Sequence, residues 1–224
     1  MLVDAETWQL IGTSFWPLLS AGLTVTVPLA IASFAIGLVF AVGAALMRIS
    51  GNRLLSAISR IYVSAIRGTP LLVQLFLVFY GLPQLGIRID AFPAAIIAFS
   101  LNVGGYAAEV IRAAILSVPK GQWEAGFTVG LSRATTLRRI IIPQAARVSV
   151  PPLSNTFISL VKDTSLAAVI TVTEMFRVAQ NIAAFSYEFL IIYMEAAVIY
   201  WVFCFILSLG QDRIERRLDS RVAH

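Results

Sequence analysis

Long apolar runs joined by short basic connectors dominate this chain. Residues 18–47 carry no charge at all. A helix crosses the hydrocarbon core with about 20 residues, so this run spans a bilayer with some to spare. The segment 54–82 opens with apolar positions at helical spacing (Leu54, Leu55, Ile58, Ile61, Tyr62, Ala65), as a helix lying in the inner interface would. Thr69-Pro70 then supplies a cap and a first-turn proline, which predicts a new or kinked helix running to Leu82. Gly81, Pro83, Gln84 and Gly86 make a turn beyond it. Residues 91–116 form the third apolar segment, interrupted by Asn102, Gly104-Gly105, Glu109 and Arg112. The fourth, 140–170, is interrupted by Pro151-Pro152, Asn155 and Lys162-Asp163, and a small polar helix is expected at 173–180. The last, 189–211, holds Glu195 as its only charge. Residues 1–17, with Trp8 and Trp16, read as a segment lying on the membrane surface. The pattern predicts an all-α membrane protein, one domain over 1–224 with about five transmembrane helices.

The distribution of charge orients those helices. No Lys or Arg precedes Arg48, whereas Arg48, Arg53 and Arg60 follow the first span and Arg213, Arg216, Arg217 and Arg221 follow the last. By the positive-inside rule the N-terminus is outside and the C-terminus cytoplasmic. The chain is 58% hydrophobic and only 13% charged, where soluble domains carry about 25% charged residues. Its net charge of +5 is spread over connectors, so it reports topology and not a nucleic-acid surface. The N-terminal stretch has neither a basic leader nor a small-residue cleavage pattern, so the first run is expected to be kept as a span. Cys204 is the only cysteine and His224 the only histidine. That excludes an intrachain disulfide, a side-chain N and S metal site and Ser-His or Cys-His chemistry. No G-x-x-x-x-G-K-[ST] loop is present, so ATP, if it is the energy source, is hydrolysed by a partner. No cofactor and no catalytic residue are expected.

Residues 117–139 are a polar island between apolar runs. Pro119 and Gly121 open a turn, 122–129 has a short helical pattern with the acid Glu124 near its start, and Gly130 stops it. Ser132 is placed to cap a second short segment ending at Arg138 and Arg139, and Pro143 marks the next break. Such a two-helix loop suits docking on another protein, and by pattern alone it equally suits a solvated connector.

Within the membrane segments four ionisable residues stand out, Arg67, Glu109, Lys162 and Asp163, with Asn102, Thr164 and Ser165 as neutral hydrogen-bonding groups. Charges at that depth face a cavity or one another. Glu109 or Asp163 could meet the ammonium of an amino acid, and Lys162 or the Thr164-Ser165 hydroxyls and N–H groups its carboxylate. The pattern alone leans to a purely structural Glu109–Lys162 pair that only positions helices. Arg67 reads as structural, and Tyr187, Tyr193, Tyr200 and Trp201 read as interface anchors and packing.

Glu124-Ala125-Gly126, Gly130 and Ile142-Pro143 resemble the "EAA" cytoplasmic loop of ABC-importer permeases, which usually has Ala at the position of Gly126 and Leu at that of Ile142. The resemblance extends to Arg67-Gly68-Thr69-Pro70-Leu71-Leu72-Val73-Gln74, Tyr106-Ala107-Ala108-Glu109, Pro119-Lys120-Gly121-Gln122-Trp123-Glu124 and Lys162-Asp163-Thr164-Ser165-Leu166. These are similar to permease subunits of polar amino-acid ABC importers over nearly the whole chain. The stretches 101–112, 143–147 and 157–168 look most similar to the cystine-type branch. The resemblance implies a multi-pass permease of the bacterial inner membrane. It implies a dimer of cytoplasmic ATP-binding subunits docked on Glu124, Ala125, Gly126, Gly130 and Leu131, an external substrate-binding protein, and a second permease copy, identical or different. It also implies that Glu109 and Lys162-Asp163, with Asn102, Thr164 and Ser165, lie at a membrane substrate pocket. The competing functions are an ion-gradient-driven secondary transporter, against which five crossings and no inverted repeat speak, and a small assembly protein of the membrane.

Overall fold

A computed structural model of the protein describes residues 5–219. Asp4, Arg221 and His224 lie outside the described residues. All regular structure among the described residues is helical. Helix α1 runs unbroken over Ala5–Ile49. It is followed by α2 (Arg53–Gly68), α3 (Leu71–Leu85), α4 (Ala91–Ser117) and α5 (Lys120–Thr128). Then come α6 (Arg133–Ile170), α7 (Met175–Ser186) and α8 (Phe189–Asp219). Three helices (α1, α4, α8) are long and apolar enough to cross a membrane, and five spans result if α2 with α3 and α6 with α7 each count as one broken span.

Proline placement explains where the sequence pattern misled. Residues 1–17 were expected to lie apart from the first span, yet from Ala5 onward they continue directly into it. Pro143 was expected to break the chain, and Pro151-Pro152 to interrupt the fourth segment, yet all three sit within the continuous α6. The helix changes its winding where a proline is coming. Three five-residue π turns, Gly22–Thr26, Leu77–Gly81 and Leu137–Ile141, each place a proline (Pro28, Pro83, Pro143) as the second residue after the turn. In two of them the N–H just before the proline bonds five residues back, Val27 to Gly22 and Ile142 to Leu137. The wider turn moves the carbonyl that the proline ring would strike, at the point where the ring supplies no donor. The break expected at Thr69-Pro70 is present, with α2 ending at Gly68 and α3 starting at Leu71. The small polar helix expected at 173–180 is α7, longer and capped by Glu174, whose carboxylate accepts from the Arg177 N–H at 2.7 Å.

The chain separates into two units. Among the described residues the first comprises 5–35, 71–99 and 157–210, and the second 36–70, 100–156 and 211–219. In the first, Leu18 and Ala21 of α1 pack on Met175, Ala179 and Ala183 of α7 and on Ile192, Ala196 and Ile199 of α8. The alanines let the helices approach closely, the usual way to gain dispersion contact where lipid removes the hydrophobic drive. In the second, Gly104 of α4 lies against Phe40 and Tyr62, and Gly105 against Ile66. A Cβ on Gly105 would come within 2.5 Å of Ile66, so this pair is a seat for α2. The Tyr62 hydroxyl donates to the Leu101 carbonyl at 2.7 Å, and the Ser59 hydroxyl to the Ala44 carbonyl at 2.8 Å.

Candidate functional site

The loop after α4 is built as two capped helices. Leu131 N–H returns to the Gly126 carbonyl at 3.0 Å, and Gly130 N–H to that of Phe127 at 2.9 Å, with Gly130 at φ +79°. These bonds satisfy carbonyls that the helix end would leave bare, and glycine takes the left-handed angle without strain. Ser132 caps the next helix as expected, its hydroxyl accepting from the Thr135 N–H at 3.3 Å. Glu124 is not at the helix start: α5 begins at Lys120, and Glu124 is exposed in the second turn. Ala125 and Gly130 are exposed, Leu131 is half-buried and Gly126 is buried. A Cβ on Gly126 would lie 2.6 Å from the Thr136 methyl and 2.7 Å from its hydroxyl. Glycine at this position is thus the partner of Thr136, and its low helix propensity is offset by close packing of α5 on α6. Behind the loop, Ile115, Val118, Ile141 and Ala145 form a core with Trp123 and Leu137 packed against it. Arg133 donates to the Ile49 carbonyl at 3.4 Å, and Gln144 to the Gln122 side chain at 3.2 Å. The loop is held on its inner side and presents Phe127 and Val129 outward, 49% and 72% exposed.

In the second unit, Glu109 accepts from Arg112 through Nε at 3.0 Å and through Nη2, and lies 3.5 Å from Arg48. Within this unit the cations that meet Glu109 are therefore Arg112 and Arg48. The group borders a recess of about 480 Å³ lined by Arg48, Arg60, Ser64, Arg67 and Glu109. Arg67 stacks over the Tyr106 ring at 5.7 Å, a cation–π contact that fixes its guanidinium. Asn102, Tyr106 and Glu109 fall at i, i+4 and i+7, so α4 carries them on one face. With three arginines and one carboxylate at its walls, the recess favours an oxyanion, and guanidinium forks match carboxylates in a bidentate manner.

In the first unit, Lys162 and Ser165 line a pocket of about 550 Å³ together with Phe176, Tyr193, Tyr200, Trp201 and Cys204. Lys162 makes no ion pair among the described residues. Asp163 is half-buried and Thr164 fully buried, its hydroxyl donating to the Val161 carbonyl at 2.7 Å. At Thr164 the α-helical winding ends and a tighter turn runs to Ile170, followed by Thr171 at φ +68°. The irregular backbone thus begins at Thr164, directly after Lys162-Asp163, and not at Pro151-Pro152. Of the aromatics read as anchors and packing, Tyr193, Tyr200 and Trp201 line this pocket and Tyr187 does not. Tyr193, Ala197, Tyr200, Trp201 and Cys204 repeat at three- and four-residue spacing along one face of α8, a signal visible in the sequence.

Residues 33–220 match the family described as binding-protein-dependent transport system inner membrane component. This chain belongs to that family. The permease is 60% identical over 223 residues to the L-cystine transport system permease protein TcyB of Bacillus subtilis, covering 99% of this chain and 95% of that one. It is 39% identical to the glutamine transport system permease protein GlnP of Escherichia coli, over 90% and 93% of the two chains. A solved amino acid ABC transporter with histidines superposes with a TM-score of 0.87 at 36% identity, covering 97% of this chain and 100% of that one. The MetNI methionine transporter, at 20% identity and a TM-score of 0.72, shares the fold. The permease is thus the inner-membrane transport subunit of an amino-acid ABC importer and not an enzyme. It works with a separate ATP-binding subunit and with a binding protein. An ion-gradient-driven mechanism gains no support.

Proposed function

We propose that this permease carries cystine by alternating access. It pairs with a second permease copy and docks a dimer of ATP-binding subunits through Glu124, Ala125, Gly126, Gly130 and Leu131. Asn102 and Glu109 in the second unit, and Lys162, Asp163, Thr164 and Ser165 in the first, meet the substrate in the membrane. The observation that carries the substrate is the 60% identity, over 99% of this chain, to an L-cystine permease. The site chemistry agrees with it. Cystine is a double zwitterion around an apolar disulfide. In the first unit Lys162 suits a carboxylate and Asp163 an ammonium group, and in the second the arginines around Glu109 suit a carboxylate. The outward Phe127 and Val129 beside Glu124 give the loop the mixed apolar and charged surface of a protein contact. The test is ATP-dependent uptake into proteoliposomes holding the permease, its ATP-binding subunit and its binding protein. Labelled cystine is expected to accumulate, with glutamine and histidine at least tenfold slower. Equal uptake of the three, or none of cystine, overturns the substrate assignment.

A further inference from the structure

Glu174 belongs to none of the groups assigned so far, yet it is a carboxylate with no exposure at all in an apolar unit. An ionisable group at membrane depth is retained only where its partners repay desolvation. Its partners are all within the first unit. One oxygen accepts the Arg177 N–H at the start of α7, at 2.7 Å. The other accepts the Tyr200 hydroxyl of α8 at 2.9 Å and lies 3.4 Å from the Thr26 hydroxyl. Thr26 closes the π turn of α1, and its hydroxyl oxygen accepts the Met175 N–H at 3.1 Å. One carboxylate therefore ties together a π turn, a helix N-terminus and a tyrosine from a third helix. Tyr200 has two faces: its hydroxyl end is spent on Glu174, and its ring lines the pocket with Lys162, Ser165, Tyr193 and Trp201.

We propose that Glu174 is a positioning residue for substrate: by holding the Tyr200 hydroxyl it fixes the ring that walls the Lys162 pocket, and it couples that wall to the π turn of α1. The proposal rests on the reading of this pocket as a place where substrate binds. A tyrosine whose hydroxyl is anchored has its ring pre-set, so a ligand that packs on it does not have to order it. A π turn is a point where a helix can shift register, which makes Thr26 the natural place for this contact to change between conformations.

The experiment is equilibrium binding of labelled cystine to the purified permease–ATPase complex without binding protein, with thermal unfolding measured on the same samples. Tyr200→Phe keeps the ring and removes the tether, and Glu174→Gln keeps the shape and removes the charge. Each is expected to weaken cystine binding by about three- to tenfold. The double variant is expected to be no weaker than the worse single one, because both break one contact. Ser14→Ala is the structural control. It removes the hydroxyl that Glu195 accepts elsewhere in the same unit, and is expected to lower stability without changing Kd. Lys162→Gln tests the pocket itself. If it weakens binding while Tyr200→Phe, the milder change, leaves Kd at the wild-type value, the proposal is wrong and the pocket reading stands. If the wild-type complex binds no cystine, both fall. Additive losses in the double variant also overturn it, since they assign Glu174 and Tyr200 separate roles.

Discussion

Each unit keeps a carboxylate among its helices, and the two are managed in opposite ways. Glu174 of the first unit has no exposure and meets hydroxyls and a helix N-terminus. Glu109 of the second is 27% exposed and meets two guanidinium groups at the edge of a recess. Neutral donors fixed by backbone give a carboxylate one geometry, and removing one leaves a buried orphan. Mobile arginine forks can let go of one partner and take another, so a carboxylate held by them borders a site that exchanges ligands. The second unit also presents the exposed Glu124 loop. Substitutions in the second unit are therefore expected to separate transport from stability more cleanly than those at Glu174.

Glu109→Gln is the strongest test of that separation. It keeps the side-chain shape, removes the charge shared by Arg112 and Arg48, and leaves a recess walled by three arginines with no acid. Loss of a charge-assisted contact is worth about 1.5–3 kcal/mol, or roughly ten- to 150-fold in affinity. Uptake in proteoliposomes with saturating binding protein is expected to fall by at least tenfold. Because the group is partly exposed, unfolding temperature should change little. If the variant instead unfolds early and transports normally per folded molecule, Glu109 is structural and the contrast with Glu174 disappears.

How much of this was legible in the sequence depends on the length scale of the signal. Apolar runs, basic connectors, the Gly130 stop and the Ser132 cap are local, and each follows from residue chemistry alone. The errors came where a local rule was overridden. Pro143 and Pro151-Pro152 break helices as isolated residues. Here a preceding π turn absorbs Pro143, and all three prolines stay inside α6. Glu109 stood open to a structural pair with Lys162, because both are charges at depth. Its cations are Arg48, which looked like a connector charge, and Arg112, one helical turn along α4. Glu174 carried no signal of a site: it falls in the small polar helix expected at 173–180, and only tertiary packing shows that it is sealed. Tyr193, Tyr200 and Trp201 were legible as one face of a helix, but aromatic residues near a membrane interface have an ordinary explanation that hid the pocket.

The loop contains its own version of the contrast, since Gly126 is a buried contact inside an otherwise exposed surface. Intrinsic propensity says that Gly126→Ala should stabilise α5 by up to about 1 kcal/mol. Packing says the opposite, because the added methyl lands within 2.6 Å of Thr136, and such overpacking costs about 1–3 kcal/mol. The expected outcome is a net loss of thermal stability and weaker ATPase stimulation, both restored in part by Thr136→Ala. That substitution alone removes the Thr136 hydroxyl bond to the Ser132 carbonyl, at 3.0 Å, so the rescue should be incomplete. A more stable single variant would show that α5 and α6 are not packed as described.

Gly130→Val asks whether the loop matters for its shape or only for its surface. The residue stands at φ +79° with no neighbour near its missing Cβ, so the cost of a side chain is conformational and not steric contact. For an L-residue the left-handed region costs about 1–2 kcal/mol, and more when the side chain is β-branched. The chain can escape that cost by unwinding the last turn of α5, which gives up the Leu131 bond to Gly126 and moves Phe127 and Val129 away from Glu124. Insertion and the membrane helices should be unaffected, so yield and the unfolding temperature of the whole complex should stay close to wild type. Substrate-stimulated ATP hydrolysis should drop, because the docking surface is no longer presented as one piece. Gly130→Asn separates the two possibilities, since Asn tolerates the left-handed angle: it should keep stimulation where Val loses it. Normal stimulation in the Val variant would mean that the ATP-binding subunit reads this loop through residues on α5 alone, and that the turn at Gly130 serves only to close it.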